Sequence, residues 1–109
     1  MSSRSVRMSG ATETSRRQVT VAAEKVAISG TTAKSTALTP GDFYIKANVA
    51  CYVRQGVRGT ITSTTAAGHF LAAGEEWIIR VTKTGVDDGI AAITDGASGT
   101  LEISAVEAV

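Results

Sequence analysis

Apolar residues recur at every second position through most of this chain, and this alternation limits the possible folds more than any other feature. In each short run, one face carries Val, Ile or Phe and the other carries Thr, Lys, Glu or Arg. The clearest runs are residues 19–28, 43–53, 77–81 and 101–105. Successive side chains of a β-strand point to opposite faces, so a period of two predicts half-buried strands.

Turn residues separate these runs at short intervals, as in Pro40-Gly41 and in the segments 85–89 and 95–99. The spacing gives about eight strand candidates, and no segment has the 3.6-residue period of an amphipathic helix. We therefore predict an all-β sandwich of about eight short antiparallel strands. The threonine-rich segment 60–65 is weakly hydrophobic, and it is expected to be an edge strand or an exposed loop.

One pattern occurs twice, at residues 38–45 and again at 71–78, offset by 33 positions. Each copy has Leu, then Gly three residues later, an acidic residue, an aromatic residue and Ile. A repeated corner suits the two Greek-key halves of a jelly roll, although Leu and Gly in this order also begin many unrelated strands. The pattern favours a jelly-roll-like β-sandwich within the all-β class.

Positive charge is concentrated at the N-terminus. Residues 1–17 have a net charge of +3 and no apolar periodicity, whereas the remaining chain has a net charge of −2. We predict a flexible basic N-terminal arm over residues 1–17 and a β-sandwich domain over residues 18–109. The predicted partner-binding residues are the arm's arginines, Arg4, Arg7, Arg16 and Arg17. Arginine arms also bind nucleic acid, but a net charge of +1 for the whole chain argues against general nucleic-acid binding.

Residue types that carry chemistry are sparse and scattered. Cys51 is the only cysteine and lies in phase with apolar neighbours, which predicts a core position. His69 is the only histidine, so a histidine cluster around a metal is excluded, and a surface or interface position is expected. Residues 87–89 have the composition of a tight turn and lack the spacing of a calcium loop. We predict no enzymatic activity, no cofactor, no metal and no small-molecule substrate.

The sequence also predicts where the chain is found and which residues stand out. No run approaches the 18–20 apolar residues that span a bilayer, and no apolar segment follows the N-terminal arginines as in a signal peptide. A soluble protein made in the cytoplasm, with no membrane partner, is expected. Trp77 is the largest apolar side chain of the strongest strand and is predicted to anchor the core. Arg54 and Arg58 with Tyr52 form either a small nucleic-acid patch or, as we prefer, a solvated strand and loop.

Three segments together resemble small virion proteins of tailed bacteriophages: LTPGDFYIKANVACYVRQG, FLAAGEEWIIRV and GTLEISAV. The similarity is to capsid decoration, or cement, proteins with a jelly-roll-like fold, and it covers about residues 35–105. The resemblance implies a structural protein on the capsid surface of the virion, synthesised in the host cytoplasm, that joins neighbouring major capsid protein subunits. It also implies a homo-oligomer, with a trimer favoured over a dimer. No individual binding residue carries over from it.

Two other functions use the same kind of fold. Another virion component, such as a head–tail connector or a tail or fibre element, would have similar strands. A carbohydrate-binding jelly-roll module is a different class, and such modules usually present several exposed aromatic residues. This chain has five aromatic residues in all, most of them on predicted core faces.

Overall fold

The computed structural model of the protein describes residues 22–106. The predicted arm with its four arginines, and the first positions of the predicted sandwich domain, lie outside these residues. Within them the chain forms eight strands and no helix, which confirms the predicted all-β sandwich. The strands are β1 (Glu24–Ile28), β2 (Ala33–Lys34), β3 (Gly41–Ala47), β4 (Cys51–Gly56), β5 (His69–Leu71), β6 (Glu76–Val81), β7 (Gly89–Ile93) and β8 (Gly99–Ala105).

The strands form two four-stranded sheets in which all neighbours are antiparallel. The first sheet has the order β1-β8-β3-β6 and the second has the order β2-β7-β4-β5. The pairs are nested: β4 pairs with β5, β3 with β6, β2 with β7, and β1 with β8. The last strand therefore lies between the first and the third, and the two chain ends of the sandwich meet in the first sheet.

The core lies between the sheets and is built from the apolar positions of the alternation. Phe43, Ile45 and Ala47 on β3 face it, as the sequence predicts. The largest fully buried apolar side chains come from both sheets and are Ile28, Ile45, Leu71, Ile90, Leu101 and Val81. Each such side chain contributes about 1.5–3 kcal/mol relative to an exposed position. Cys51 belongs to this core, as predicted, and its burial raises the pKa of the thiol.

The prediction that Trp77 anchors the core is wrong. Its side chain is on the inner face of β6, but it is only partly buried and packs against the rim of the core. β6 is an edge strand of the first sheet, so Trp77 has a neighbouring strand on one side only. Aliphatic side chains fill the core instead, and they come from edge strands as well as central ones, including Val81 on β6 itself.

The threonine-rich segment forms no strand but part of a loop, residues 57–68, that lies across the outer face of the second sheet. Ser63 is buried and its hydroxyl donates a 2.8 Å hydrogen bond to the carbonyl of Tyr52 on β4. Only glycine fits at position 89 of β7, because a Cβ there would collide with the backbone of Arg58. Ala91 points outward from β7 and is nevertheless fully buried. The loop that was expected to be exposed is therefore partly buried and covers part of the outer face of the second sheet.

The repeated sequence pattern marks two equivalent strand starts. Leu38 and Leu71 are both buried, and each precedes a glycine in the positive-φ region, Gly41 at 145° and Gly74 at 80°. L-residues rarely adopt this backbone conformation, so glycine is required at both corners. The strands that follow, β3 and β6, are antiparallel neighbours in the first sheet.

Matched isoleucine truncations test the assignment of inner and outer faces. Ile45 has no exposed surface, whereas Ile78 on the adjacent strand is 57% exposed. Ile45→Ala is expected to lower the free energy of unfolding by about 2–5 kcal/mol, because it leaves a core cavity. Ile78→Ala is expected to change it by less than about 0.5 kcal/mol. Urea denaturation at low protein concentration measures both, and equal effects would contradict the assignment.

Candidate interaction surface

An aromatic pair lies at the edge of the second sheet. Tyr52 on β4 and Phe70 on β5 are directly opposite in register, and both side chains are on the outer face. Their ring centroids are 5.5 Å apart and the ring planes are tilted by 59°. Tyr52 is partly covered, whereas Phe70 is 53% exposed. Because the exposed half of Phe70 leaves apolar area in water, this pair is the first candidate for a contact with another molecule.

The structure separates the basic residues that the sequence placed beside Tyr52. Arg54 is exposed on the same outer face and donates a 3.4 Å hydrogen bond from Nη1 to the carbonyl of Thr62. Arg58 is half-buried, and its Nε donates to the carbonyl of Ser35 at 2.6 Å. His69 is exposed at the start of β5, which agrees with the expected surface position. Arg54 alone therefore remains next to the aromatic pair.

The turn lies at residues 84–86 and not at residues 87–89, because Gly89 already belongs to β7. The carboxylates of Asp87 and Asp88, which follow the turn, accept hydrogen bonds from backbone amides. Asp87 accepts hydrogen bonds from the hydroxyl of Thr82 at 2.7 Å and from the amide of Lys83 at 3.1 Å. Asp88 accepts from the amides of Arg58 and Gly85, both at 3.0 Å. Within residues 22–106, no three His, Cys, Asp or Glu side chains are grouped as a metal site.

These hydrogen bonds lower the pKa of both aspartates. For Asp87 the main cause is the bond from the Thr82 side chain, and for Asp88 it is the bond from the Arg58 amide. Gln55 on β4 adds two bonds at this end of the sandwich, from Nε2 to the carbonyls of Arg80 at 2.8 Å and Asp87 at 2.9 Å. The cluster therefore ties β4 and the covering loop to the turn between β6 and β7.

The outer face of the first sheet carries ordered charges. Lys25 forms an ion pair with Glu102 at 3.1 Å across β1 and β8. Arg80 forms an ion pair with Asp42 at 3.0 Å across β6 and β3. Lys46 on β3 is directly opposite Glu102 on one side. The face therefore has its charges arranged by strand register.

A shallow groove of about 570 Å³ opens at one end of this charged face. Asn48 borders it and ties β8 to the loop between β3 and β4, since its Oδ1 accepts from the amide of Thr100 at 2.8 Å. The groove's lining is mixed in charge and includes Lys25, Lys46, Asn48, Gly74, Thr100 and Glu102. Because its charges are already arranged in cross-strand pairs, the groove has no single-sign character that would select an anion or a cation.

Two apolar groups on the outer faces were missed by sequence reasoning. The pairing of Tyr52 with Phe70 depends on cross-strand register, which alternation does not reveal. Ile78 could have been recognised from the sequence, because it is an apolar residue on the face of the strand that otherwise carries Glu76 and Arg80. It is 57% exposed at the middle of an edge strand.

No apolar helix of membrane-spanning length occurs within residues 22–106.

Acid should weaken the fold through the aspartate turn. The folded-state pKa of Asp87 is lowered, so its contribution is fully present above the ordinary aspartate pKa of about 3.9 and is lost as the pH falls through the folded-state pKa. Asp87→Asn is expected to reduce the loss of thermal stability between pH 5 and about pH 2. Asp95→Asn, in a turn where no such bonds are made, is the matched control and should leave the loss unchanged. Identical pH profiles for both variants and wild type would contradict this role.

Comparisons with protein-family models, with curated proteins and with solved structures give no match to this chain. The candidate surface therefore rests on the geometry of the chain itself. That geometry offers an aromatic pair at the edge of one sheet and an exposed isoleucine at the edge of the other.

Proposed function

We propose that the protein is a non-enzymatic structural component of a tailed-phage virion that binds the outside of the head and joins neighbouring major capsid protein subunits. The observation that carries the proposal is the exposed aromatic pair. Aromatic residues are enriched among the few side chains that dominate protein–protein binding energy. Phe70 is such a side chain. Because its ring already packs against Tyr52, binding a partner would cost little further side-chain entropy.

The strand order supports the finer interpretation of the sandwich as a jelly roll. Nested pairing of β4 with β5, β3 with β6, β2 with β7 and β1 with β8 is what results when one long antiparallel hairpin is rolled around a core. The three segments that resemble phage decoration proteins fall on these elements, namely β3–β4, β5–β6 and β8. The resemblance and the topology thus favour the same family of folds by separate routes.

A carbohydrate-binding module is the second class that exposed aromatics suit. Sugar rings stack best on one flat, open aromatic face. The rings of Tyr52 and Phe70 are tilted by 59°, and a Cβ at Gly68 would meet both Tyr52 and Ser63, so the covering loop closely approaches Tyr52. The pair therefore suits a shaped protein pocket better than a flat sugar platform.

Replacing Phe70 should weaken binding to capsid shells. The probe is empty heads assembled from the major capsid protein of the same phage genome, mixed with purified protein and sedimented. Phe70→Ser is expected to raise the dissociation constant by about 30-fold, the effect of losing about 2 kcal/mol at a central aromatic residue. Thermal unfolding should change little, because the ring is on the outer face.

Val86→Ser is the matched control. Val86 is 52% exposed in the turn between β6 and β7, outside the two strands that carry the aromatic pair. Its replacement should leave capsid binding unchanged. The proposal fails if wild-type protein does not bind empty heads. Binding to tails alone would favour a connector or fibre role, and retention on immobilised glycans would favour the carbohydrate-binding alternative.

The basic arm is proposed as the second contact with the capsid. Residues 1–17 lie outside the described residues, so the proposal rests on their sequence, with Arg4, Arg7, Arg16 and Arg17 giving most of the charge. Guanidinium groups form paired hydrogen bonds with carboxylates that lysine ammonium groups cannot reproduce. A solvated tail with no contact is the alternative.

Deleting residues 2–17 should preserve folding and weaken binding to empty heads by at least about tenfold at low salt. The difference should shrink as salt is raised, because exposed charge pairs are screened. Replacing the four arginines with lysine keeps the charge and removes the guanidinium forks. Weakened binding of that variant supports specific pairing, whereas unchanged binding of the deletion variant shows that the arm is only a tail.

A further inference from the structure

The free edge of β6 is the longest strand edge at this side of the sandwich. β6 pairs with β3 along its length, from Lys46 opposite Glu76 to Gly41 opposite Val81. On its other side it has no strand partner among residues 22–106. The neighbouring edge strand β5 has three residues, compared with six in β6. The carbonyl of Arg80 already accepts a hydrogen bond from Gln55 Nε2 at 2.8 Å. The other backbone donors and acceptors of a long edge of this kind can be completed by another strand.

The side chains of β6 are complementary to themselves when the strand is reversed. We propose that β6 pairs with β6 of a second copy of the chain, antiparallel about a two-fold axis at Ile78. In this register Ile78 is opposite the partner's Ile78, and Glu76 is opposite the partner's Arg80. The symmetric contact places Arg80 opposite the partner's Glu76. Two exposed isoleucines are thereby covered, and each copy gains an opposite-charge cross-strand pair.

The same register also pairs apolar side chains on the inner face of β6. Trp77 lies opposite the partner's Ile79, and Ile79 opposite the partner's Trp77. Both side chains are only partly buried at the open rim of the core. The contact therefore extends the core of each copy across the two-fold axis, which adds buried apolar area where a single copy leaves its rim open.

Charge continuity across the edge supports this partner. Lys25 is opposite Glu102, Glu102 is opposite Lys46, and Lys46 is opposite Glu76. The next strand would be the partner's β6 with Arg80, which in its own copy is paired with Asp42 at 3.0 Å. The row therefore keeps alternating positive and negative charge from one copy into the next. A chain of another sequence would have to match the same order.

Other registers lose this complementarity. A shift of two residues places Glu76 or Arg80 opposite the partner's Ile78 and leaves a charge facing an apolar side chain. A shift of one residue reverses the faces, so that outward side chains meet inward ones. The sequence of β6 thus selects one alignment, and that alignment has two-fold symmetry.

This inference goes beyond the proposed function and does not depend on it, because it concerns the edge of the other sheet. An edge-to-edge two-fold contact gives a dimer in solution, which differs from the trimer implied by the resemblance to decoration proteins. The dimer contact and the aromatic pair lie on opposite sheets, so failure of capsid binding and failure of dimerisation are separate results.

Charge reversal at the two ends of β6 tests the pairing. Glu76→Arg gives a chain in which positions 76 and 80 are both basic, and Arg80→Glu gives one in which both are acidic. Each variant alone should dimerise at least about tenfold more weakly than wild type in sedimentation velocity runs at low salt. An equimolar mixture should regain dimers, because each basic position then faces an acidic one. Lys83→Glu, just beyond the strand, is the charge-matched control and should dimerise normally.

Misfolding cannot explain recovery in the mixture, since two misfolded chains would not restore each other. A second variant, Ile78→Glu, places two carboxylates opposite each other at the two-fold axis, and this variant should remain monomeric. The proposal is overturned if wild type is monomeric at concentrations on the order of 100 µM. It is equally overturned if the wild-type oligomer is unchanged by Ile78→Glu, or if the mixture stays monomeric while each variant remains folded.

Discussion

The position of β8 between β1 and β3 is the constraint on which the rest of the structure depends. Without it the first sheet is two separate pieces, β1 alone and the β3–β6 pair. On its inner face, Leu101 lies opposite Val26 of β1 and Ile103 lies opposite Ile45 of β3. β8 and β1 lie at opposite ends of the described chain, and bringing them together costs chain entropy before any contact is made. The sandwich is therefore expected to form cooperatively, with the C-terminal strand completing both the core and the outer rows of charge.

Buried hydroxyl groups continue the sheets where strands are too short to do so. β2 has only two residues, yet the amide of Ser35 donates to the carbonyl of Ile90 and its hydroxyl oxygen accepts from the Ile90 amide at 3.1 Å. Ser63 in the covering loop and Thr94 after β7 likewise donate to the carbonyls of Tyr52 and Ala97. Because an unpaired polar group inside the protein is costly, these bonds are what allow small polar residues into the interior of so short a chain.

Alternation was sufficient to predict the fold class and most inward-facing residues, including Ile45 and Cys51, because the two-residue period is a local property of a strand. What it could not supply was the neighbour of each strand. Trp77 is in phase with the core yet lies at an edge, and Tyr44 is out of phase yet only 7% exposed on the outer face. The candidate surface fared similarly: Ile78 departs visibly from the polar phase, whereas the contact of Phe70 with its neighbour exists only through pairing of β4 with β5.

The edges of the two sheets are handled in different ways, and the difference bears on association. β2 and β5 are short, which limits the backbone they expose to uncontrolled pairing. β6 is six residues long and has an exposed isoleucine at its middle, a position where a charged residue would discourage pairing. Its charges stand instead at the two ends of the outward face, one of each sign. An edge protected against all partners would have like charges or a charge at the centre. The arrangement on β6 is instead complementary to a strand that has the same residues in the reverse direction.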